Sequence, residues 1–399
     1  MPNSTNTVNK LDADLLISRA HELSPNFNSR QKDARDLRRL PSETIDEMRL
    51  AGFQRLFQPK VFGGAEAHFD GFVKLVPIVA AACSSTGWVL AQYIIHNHMI
   101  GYWPEKAQKE VWERKPDANV SGVLIPGCGK AEIVKGGYKL SGKWPFASGC
   151  DGADFMIFSA FCETQEKSKK SLQFIVKKES VELIDNWHTI GLEGTGSKEA
   201  RIDNLFLPDH MVLSLEDTKG GEASPGSKFN SGALFRLGAY SMFSVVQSST
   251  SLGIATGVYE NFLNIVRGRI AKQSGKQVNE FGTTQVKLAE SAACLHAARL
   301  LLLDVCDEAM KIAATGKPAD IETKSKFRGS GTYSNVLARR AVDLVWDLAG
   351  GHGIFDDNPI SQGFRDMKCA QNHISQNWDA NGGSHGRVLL GLPPSDIAI

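Results

Sequence analysis

No stretch of the 399 residues strings together the roughly 18 uncharged apolar side chains that a helix needs to cross a bilayer, and the opening Met1–Lys10 holds no apolar signal core. These absences predict a soluble, cytoplasmic protein without a membrane partner. Charge of one sign is lacking too. Lys and Arg number 45 against 44 Asp and Glu, a formal net charge of +1 that leaves no broad basic face for nucleic acid. The seven cysteines (83, 128, 150, 162, 294, 306, 369) never fall at C-x-x-C spacing, so neither a disulfide framework nor a zinc site is expected, and no metal is assigned. A dinucleotide fingerprint is also missing. The glycines of Trp187–Ser197 are followed by a further strand pattern rather than a helix, which excludes a Rossmann unit.

What is present changes period twice. From Leu11 to about Trp112 the pattern is helical: Pro41-Ser42-Glu43-Thr44 opens an amphipathic run that stops at Gly52, and the run of small residues Ala80–Trp88 would let two helices, or a helix and a ligand, approach closely. From about Ala118 to Pro208 short apolar alternations punctuated by glycine predict strands at 120–125, 133–140, 155–161, 172–176, 181–184 and 200–207. The Gly/Ser-rich segment Lys219–Gly232 reads as a flexible linker. Helical patterns then return over 243–262, 285–307 and 333–348, and a last segment runs over 362–378. Helical, then β, then helical order argues for an α+β architecture of segregated layers, divided here into 1–117, 118–215 and 216–399.

The stretch Ser141–Cys150 stands out. Gly136-Gly137 is a hairpin-type turn, and the strand after it breaks into Trp-Pro-Phe-Ala-Ser-Gly, where Pro145 has no N–H and Gly149 packs no side chain. Such a bend presents the Ser148 hydroxyl beside Trp144 and Phe146, an edge suited to a flat, polar-rimmed heterocycle; a strand bend with no ligand is the plainer alternative. Of the ten histidines, His96 and His98 sit two apart on one helical run and cannot both face one pocket. Between the two, the resemblance described next favours His96.

Taken together, the layer order, the bend Trp144–Cys150, Gly-Leu-Glu-Gly-Thr-Gly-Ser at 191–197 ahead of Leu207-Pro208, and Phe364-Arg365-Asp366 after Gly350-Gly351 resemble the acyl-CoA dehydrogenase fold. Within it the chain is most similar to the two-component, flavin-dependent aromatic monooxygenases. That branch includes the oxygenase component of p-hydroxyphenylacetate hydroxylase, the secosteroid phenol hydroxylase and dibenzothiophene monooxygenase. The resemblance implies an N-terminal helical domain, a central β-barrel or sandwich and a C-terminal four-helix bundle, assembled as a homotetramer. It also implies reduced flavin (FADH2 or FMNH2), delivered by a separate NAD(P)H-dependent flavin reductase, reacting with O2 to a C4a-hydroperoxyflavin that hydroxylates or epoxidises a small phenolic or indolic substrate.

By the same resemblance Ser148 is the serine near flavin N5; Trp144, Phe146 and Ala147 lie along the isoalloxazine; Thr195 and Ser197 belong to a flavin-holding loop; and Arg269 is the choice for a phosphate. His373 stands where the dehydrogenases place a catalytic glutamate: Asn372-His373-Ile374-Ser375 has no carboxylate. Their Arg-x-x-Phe-Gly phosphate signature is absent in that spacing, Arg267, Arg269 and Phe281-Gly282 notwithstanding. An acyl-CoA dehydrogenase or related oxidase with its base at Asp379 or Glu193, and an inactive scaffold, are the competing readings. Ile94, Ile95, Met99, Phe243 and Trp378 are candidates to line the substrate pocket.

Overall fold

The computed structural model describes residues 11–163 and 169–396. The reading of Met1–Lys10 as lacking a signal core therefore lies outside the described residues.

Six helices come first: α1 (Ala13–Ser29), α2 (Gln31–Leu37), α3 (Ser42–Ala51), α4 (Asp70–Ala82), α5 (Ser84–Ile100) and α6 (Glu105–Trp112). Helix α3 ends where its sequence says it must, at Gly52 with φ +80°. Every residue of α5 is buried, so it is a central strut rather than a surface helix. The small-residue run earns that position: a Cβ on Gly87 would lie 2.4 Å from Ala80 of α4, a contact no larger residue could accept.

Eight strands follow among the described residues: β1 (Val120–Val123), β2 (Gly129–Val134), β3 (Gly137–Ala147), β4 (Phe155–Glu163), β5 (Lys169–Lys177), β6 (Glu182–Ile184), β7 (Lys198–Pro208) and β8 (Val212–Ser214). They form one mixed sheet in the order β6-β7-β3-β2-β4-β5-β8, with β1 parallel to β4. The path ends at β6 and β8 and does not close, so the central layer is an open mixed sheet rather than a barrel. The run expected at 133–140 is two strands folded back at Gly136, φ +81°. Strand β4 is apolar on both faces. Phe155 and Ile157 face the helices, while Met156, Phe158 and Ala160 join Trp144, Leu140 and Phe174 in a separate core on the other side.

The last part holds α7 (Ala239–Val266), α8 (Gly282–Ala314), α9 (Ile321–Ala349), α10 (Pro359–Ala370) and α11 (Trp378–Leu389). The segment 362–378 is thus the end of one helix, a loop and the start of another. Lys219–Gly232 is no linker. Asn230 donates to the carbonyl of Gly101 at 2.9 Å and to Gln108 at 3.0 Å, and Gly226 lies so close to Gly101 that a Cβ would be 2.0 Å from its oxygen. Gly and Ser are used there for close packing. Among the described residues no helix is long and apolar enough to cross a membrane.

Candidate active site

The bend is a bulge inside a continuous strand. Trp144 pairs with Ala200 and Ala147 with Lys198, so the register between β3 and β7 slips at Pro145-Phe146. Phe146 absorbs the slip at φ +67°, a left-handed conformation costly for a residue with a Cβ. Strict alternation would put residues 144 and 146 on one face; the bulge separates them. The Trp144 indole is fully buried against Phe158, its N–H donating to the Ser159 carbonyl at 2.8 Å. Its expected place along a flavin is corrected: it holds the bend from inside the sheet, where no face of the ring is open. Phe146 is 61 % exposed, edge-on to Trp187. Ala147 is buried at the end of the strand.

Ser148 follows, and its surroundings fix the direction of its proton. Thr195 Oγ1 donates to the Leu192 carbonyl at 2.8 Å, so at 2.7 Å from Ser197 Oγ it must accept. Ser197, its proton thus spent, accepts from Ser148 at 2.7 Å. Ser148 Oγ in turn accepts the indole N–H of Trp88 at 3.1 Å. The chain runs from Trp88 through Ser148, Ser197 and Thr195 to a carbonyl. It leaves Ser148 one lone pair and no free proton. The backbone is held as firmly: Ser121 donates to the Ser148 carbonyl at 2.6 Å, and Gly149 N–H to the Thr195 carbonyl at 2.9 Å. Gly149, at φ +72°, lets the turn pass within van der Waals range of Val89 and Tyr93 on α5.

Trp88 links the bend to the second half of the site. Its indole meets the His373 ring edge to face, centroids 5.8 Å apart. The helix expected around His373 is corrected: it lies between α10 and α11, where its Nδ1 accepts the Ser375 N–H at 3.2 Å and caps a single 3₁₀ turn. That bond puts the ring proton on Nε2. Withdrawal from water pushes the His373 pKa down to about 4, and the Arg328 guanidinium adds to the shift, so the ring is neutral at pH 7 and presents an N–H donor.

His96 has the opposite tautomer. Its Nδ1–H donates to the Gln92 carbonyl at 2.8 Å, which leaves Nε2 as an acceptor on the side of Gly122, whose Cβ would come within 2.9 Å of it. Burial pushes its pKa to about 4 against the pull of that carbonyl. His98 is a core residue, its Nε2–H on the Leu234 carbonyl at 2.9 Å and its ring amid Phe57, Phe69, Tyr102 and Phe235.

The glycine loop 191–197 is a three-way junction. A Cβ on Gly191 would lie 2.5 Å from the Arg365 backbone on α10, and one on Gly194 2.9 Å from Ala34 of α2 and 3.0 Å from Ser85 of α5. Asp366 accepts the Leu192 N–H at 2.7 Å and the Gln362 amide at 2.8 Å. Burial pushes its carboxyl up to about 6 against the pull of the Leu192 N–H, with the charge of Glu193 adding to the rise.

Arg269 is not brought to the bend. It reaches the Leu348 carbonyl at 3.5 Å, where α7 and α9 end. Ile94, Ile95 and Met99 are inaccessible core, and Trp378 packs on Tyr333 near the surface. The alternative bases have other settings: Asp379 is exposed in the first turn of α11, and Glu193 is tied to Gln362 at 3.2 Å. Sequence reasoning missed Trp88, whose partner is 60 positions away; a lone Trp directly after a small-residue run was the available signal.

Several features of the site fit a reduced flavin: a displayed aromatic ring at Phe146, a serine that can only accept, and a neutral imidazole donor beside the joining indole. Comparison with known proteins agrees. Residues 245–378 match the family described as "Acyl-CoA dehydrogenase, C-terminal domain". The chain is 33 % identical over 388 residues, 95 % of each chain, to the FADH2-dependent resorcinol hydroxylase, oxygenase component, of Rhizobium sp. (strain MTP-10005). It is 28 % identical, over 96 % of its own length and 91 % of the other, to the p-hydroxyphenylacetate 3-hydroxylase oxygenase component of Acinetobacter baumannii. The crystal structure of 3-HSA hydroxylase from Rhodococcus sp. RHA1 superposes with a TM-score of 0.91 at 25 % identity, covering 97 % of this chain and all of that one. The chain belongs to the oxygenase components of two-component, flavin-dependent monooxygenases, built on the acyl-CoA dehydrogenase fold.

Proposed function

We propose that the protein hydroxylates a small phenolic ring, with resorcinol the first substrate to test, and that Ser148, His373 and His96 divide the work. When bound, reduced flavin supplies the two electrons that divide O2 between a product hydroxyl and water. Ser148, its own proton committed to Ser197, is set to accept the N–H that a reduced flavin carries at N5. His373 donates from Nε2 toward the oxygen being transferred. His96, with Nε2 free, accepts the substrate O–H and turns the ring carbon that must be attacked into a better nucleophile. Phe146, exposed beside the bend, would pack against a bound flavin, and the Thr195–Ser197 hydroxyls hold the direction of the relay. The opposed tautomers of the two histidines, His96 an acceptor at Nε2 and His373 a donor beside Trp88, carry this reading. Indoles, whose N–H is also a donor, are the second substrate class.

The reductase is a separate NAD(P)H-dependent chain in this reading, and the protein works in the cytoplasm. A homotetramer is supported by apolar side chains left in the open on the C-terminal helices: Val286 and Leu300 on α8, Tyr333 on α9, and Trp378, Leu389 and Leu390 on and beyond α11. The chain divides at 117/118 and 215/216, with the glycine loop riveting the parts together.

The test mixes purified protein with FADH2, or FMNH2, without oxygen, then adds oxygenated resorcinol. A trihydroxybenzene formed in near one-to-one ratio to flavin oxidised supports the proposal. Peroxide as the sole product with every phenol and indole tried would overturn it.

A further inference from the structure

Four residues from three elements close on one buried layer next to His373 and leave polar atoms unpaired there. Gln376 is tethered three times: its N–H donates to the His373 carbonyl at 2.8 Å, its side-chain amide N–H to Ser251 Oγ at 2.8 Å, and its carbonyl accepts from the Asn335 amide at 3.2 Å. With Nε2 committed, Oε1 is fixed in direction, yet it is buried without a donor. Asn335 on α9 repeats the pattern, amide nitrogen committed and Oδ1 unpaired. On α7, Gln247 lies one turn before Ser251 on the same face, and its Oε1 is unpaired too. All are at least nine-tenths buried.

Buried polar atoms are normally paired; elsewhere in this chain the exceptions are mostly single, as at Trp103, apart from the neighbours Gln54, Arg55 and Gln58. Here the exceptions are concentrated, and all three are amide oxygens, which can only accept. They cannot satisfy one another. A group that brings donors into the layer is what they lack.

We propose that Gln376, with Asn335 and Gln247, forms an acceptor subsite that recognises an O–H or N–H of the aromatic substrate other than the one held by His96, making Gln376 a specificity-determining residue. The inference rests on the reading of His373 as part of the oxygenation site, since only Ile374 and Ser375 separate the two along the same loop. Ser251 is the positioning residue that keeps the acceptor oxygen pointing into the layer. A ring bearing two donors, such as a dihydroxybenzene, satisfies both ends; one whose second oxygen is methylated presents an acceptor to acceptors and is rejected.

The probe pair is resorcinol and 3-methoxyphenol, measured with FADH2-loaded enzyme for kcat/KM and by calorimetry for binding to the protein. Wild type should favour resorcinol at least about tenfold in both. Gln376→Met should bring the ratio to within about threefold by weakening resorcinol alone, and Ser251→Ala should produce a smaller change in the same direction. A Gln376→Met protein that melts like wild type and keeps the full ratio overturns the inference. So does a wild type that binds both probes equally, which is the result expected if ordered water fills the layer. Absence of hydroxylated product from either probe in wild type, with the binding ratio intact, would instead count against the oxygenase reading and leave the subsite standing; binding of neither probe overturns both.

Discussion

The two sides of the site are built on opposite principles. On the sheet side every proton from Trp88 to Leu192 has a partner, and the donors and acceptors can be assigned one after another. On the helical side, a few residues beyond His373, amide oxygens are buried with none. A satisfied network is stiff and specifies one geometry; an unsatisfied one is a standing cost that a ligand can relieve. The difference assigns the two halves different tasks. In the proposed reading the sheet side is preorganised for a group that is always the same, the flavin, and the helical side for the group that sets identity, the aromatic.

The largest effect that would break this division is at its centre. His373→Ala should lower hydroxylation by about 10²- to 10⁴-fold, with FADH2 still bound and oxygen consumed, so that peroxide replaces product. Because the ring is a neutral donor with a pKa near 4, His373→Gln should recover a large part of the loss, and the wild-type rate should show no limb near neutrality from this residue. A glutamine variant as poor as alanine, together with a titration near pH 7, would make it a base instead.

Next in size is the acid response of the helical side. His96 and His98 have folded pKa values near 4 against an ordinary 6.5. The unfolded chain therefore takes up protons between those values that the folded chain refuses, and stability present above pH 6.5 is lost as pH falls toward 4. Each contributes on the order of 3 kcal/mol over that window. Asp366 works the other way: its carboxyl is raised, so the stability it lends is complete below about pH 4 and lost as pH rises through 6. Urea midpoints should fall steeply from pH 6.5 downward, less so in His98→Phe and more so in Asp366→Asn. A flat profile in the wild type would show that these groups are not held as described.

Smaller still is the junction joining the two sides. Gly191→Ala forces a methyl against the Arg365 backbone and should cost about 1–3 kcal/mol, read as a lower melting temperature. The smallest change concerns the relay. Ser197→Ala and Ser148→Ala each remove about 0.5–1.5 kcal/mol of hydrogen bonding, which should appear as a few-fold rise in peroxide per product rather than as unfolding. Of the two, Ser148→Ala should be worse, since it also strands the Trp88 N–H. Unchanged coupling in both would end the case for a directed relay.

Much of this was legible in the sequence, for reasons that are local. Periodicity separates helical from β segments, Gly52 and Gly136 mark turns that need positive φ, and a proline followed by small residues marks a strand that cannot stay regular. What failed was tertiary. Trp144 and Phe146 share a parity that ought to place them on one face, and only the register slip against β7 sends one inward and one outward. Glycine and serine over 219–232 have the composition of a linker and the task of letting chains touch. His373 sits in a segment that reads as helix, but it caps a short 3₁₀ turn there and Asn377 caps the start of α11. Trp88 became a site residue only when α5 was laid under the bend, and Arg269 ceased to be one when α7 carried it elsewhere.

Phe146 has a consequence for anyone who evolves this protein in the laboratory. A phenylalanine at φ +67° costs about 1–2 kcal/mol that a glycine in the same place would not. Selection for heat tolerance alone will find Phe146→Gly and keep it, while selection for turnover should keep the ring. Libraries screened in alternating rounds should therefore oscillate at this codon, and a heat-selected lineage that retains phenylalanine would show that the strain is relieved in a way the backbone angle does not reveal.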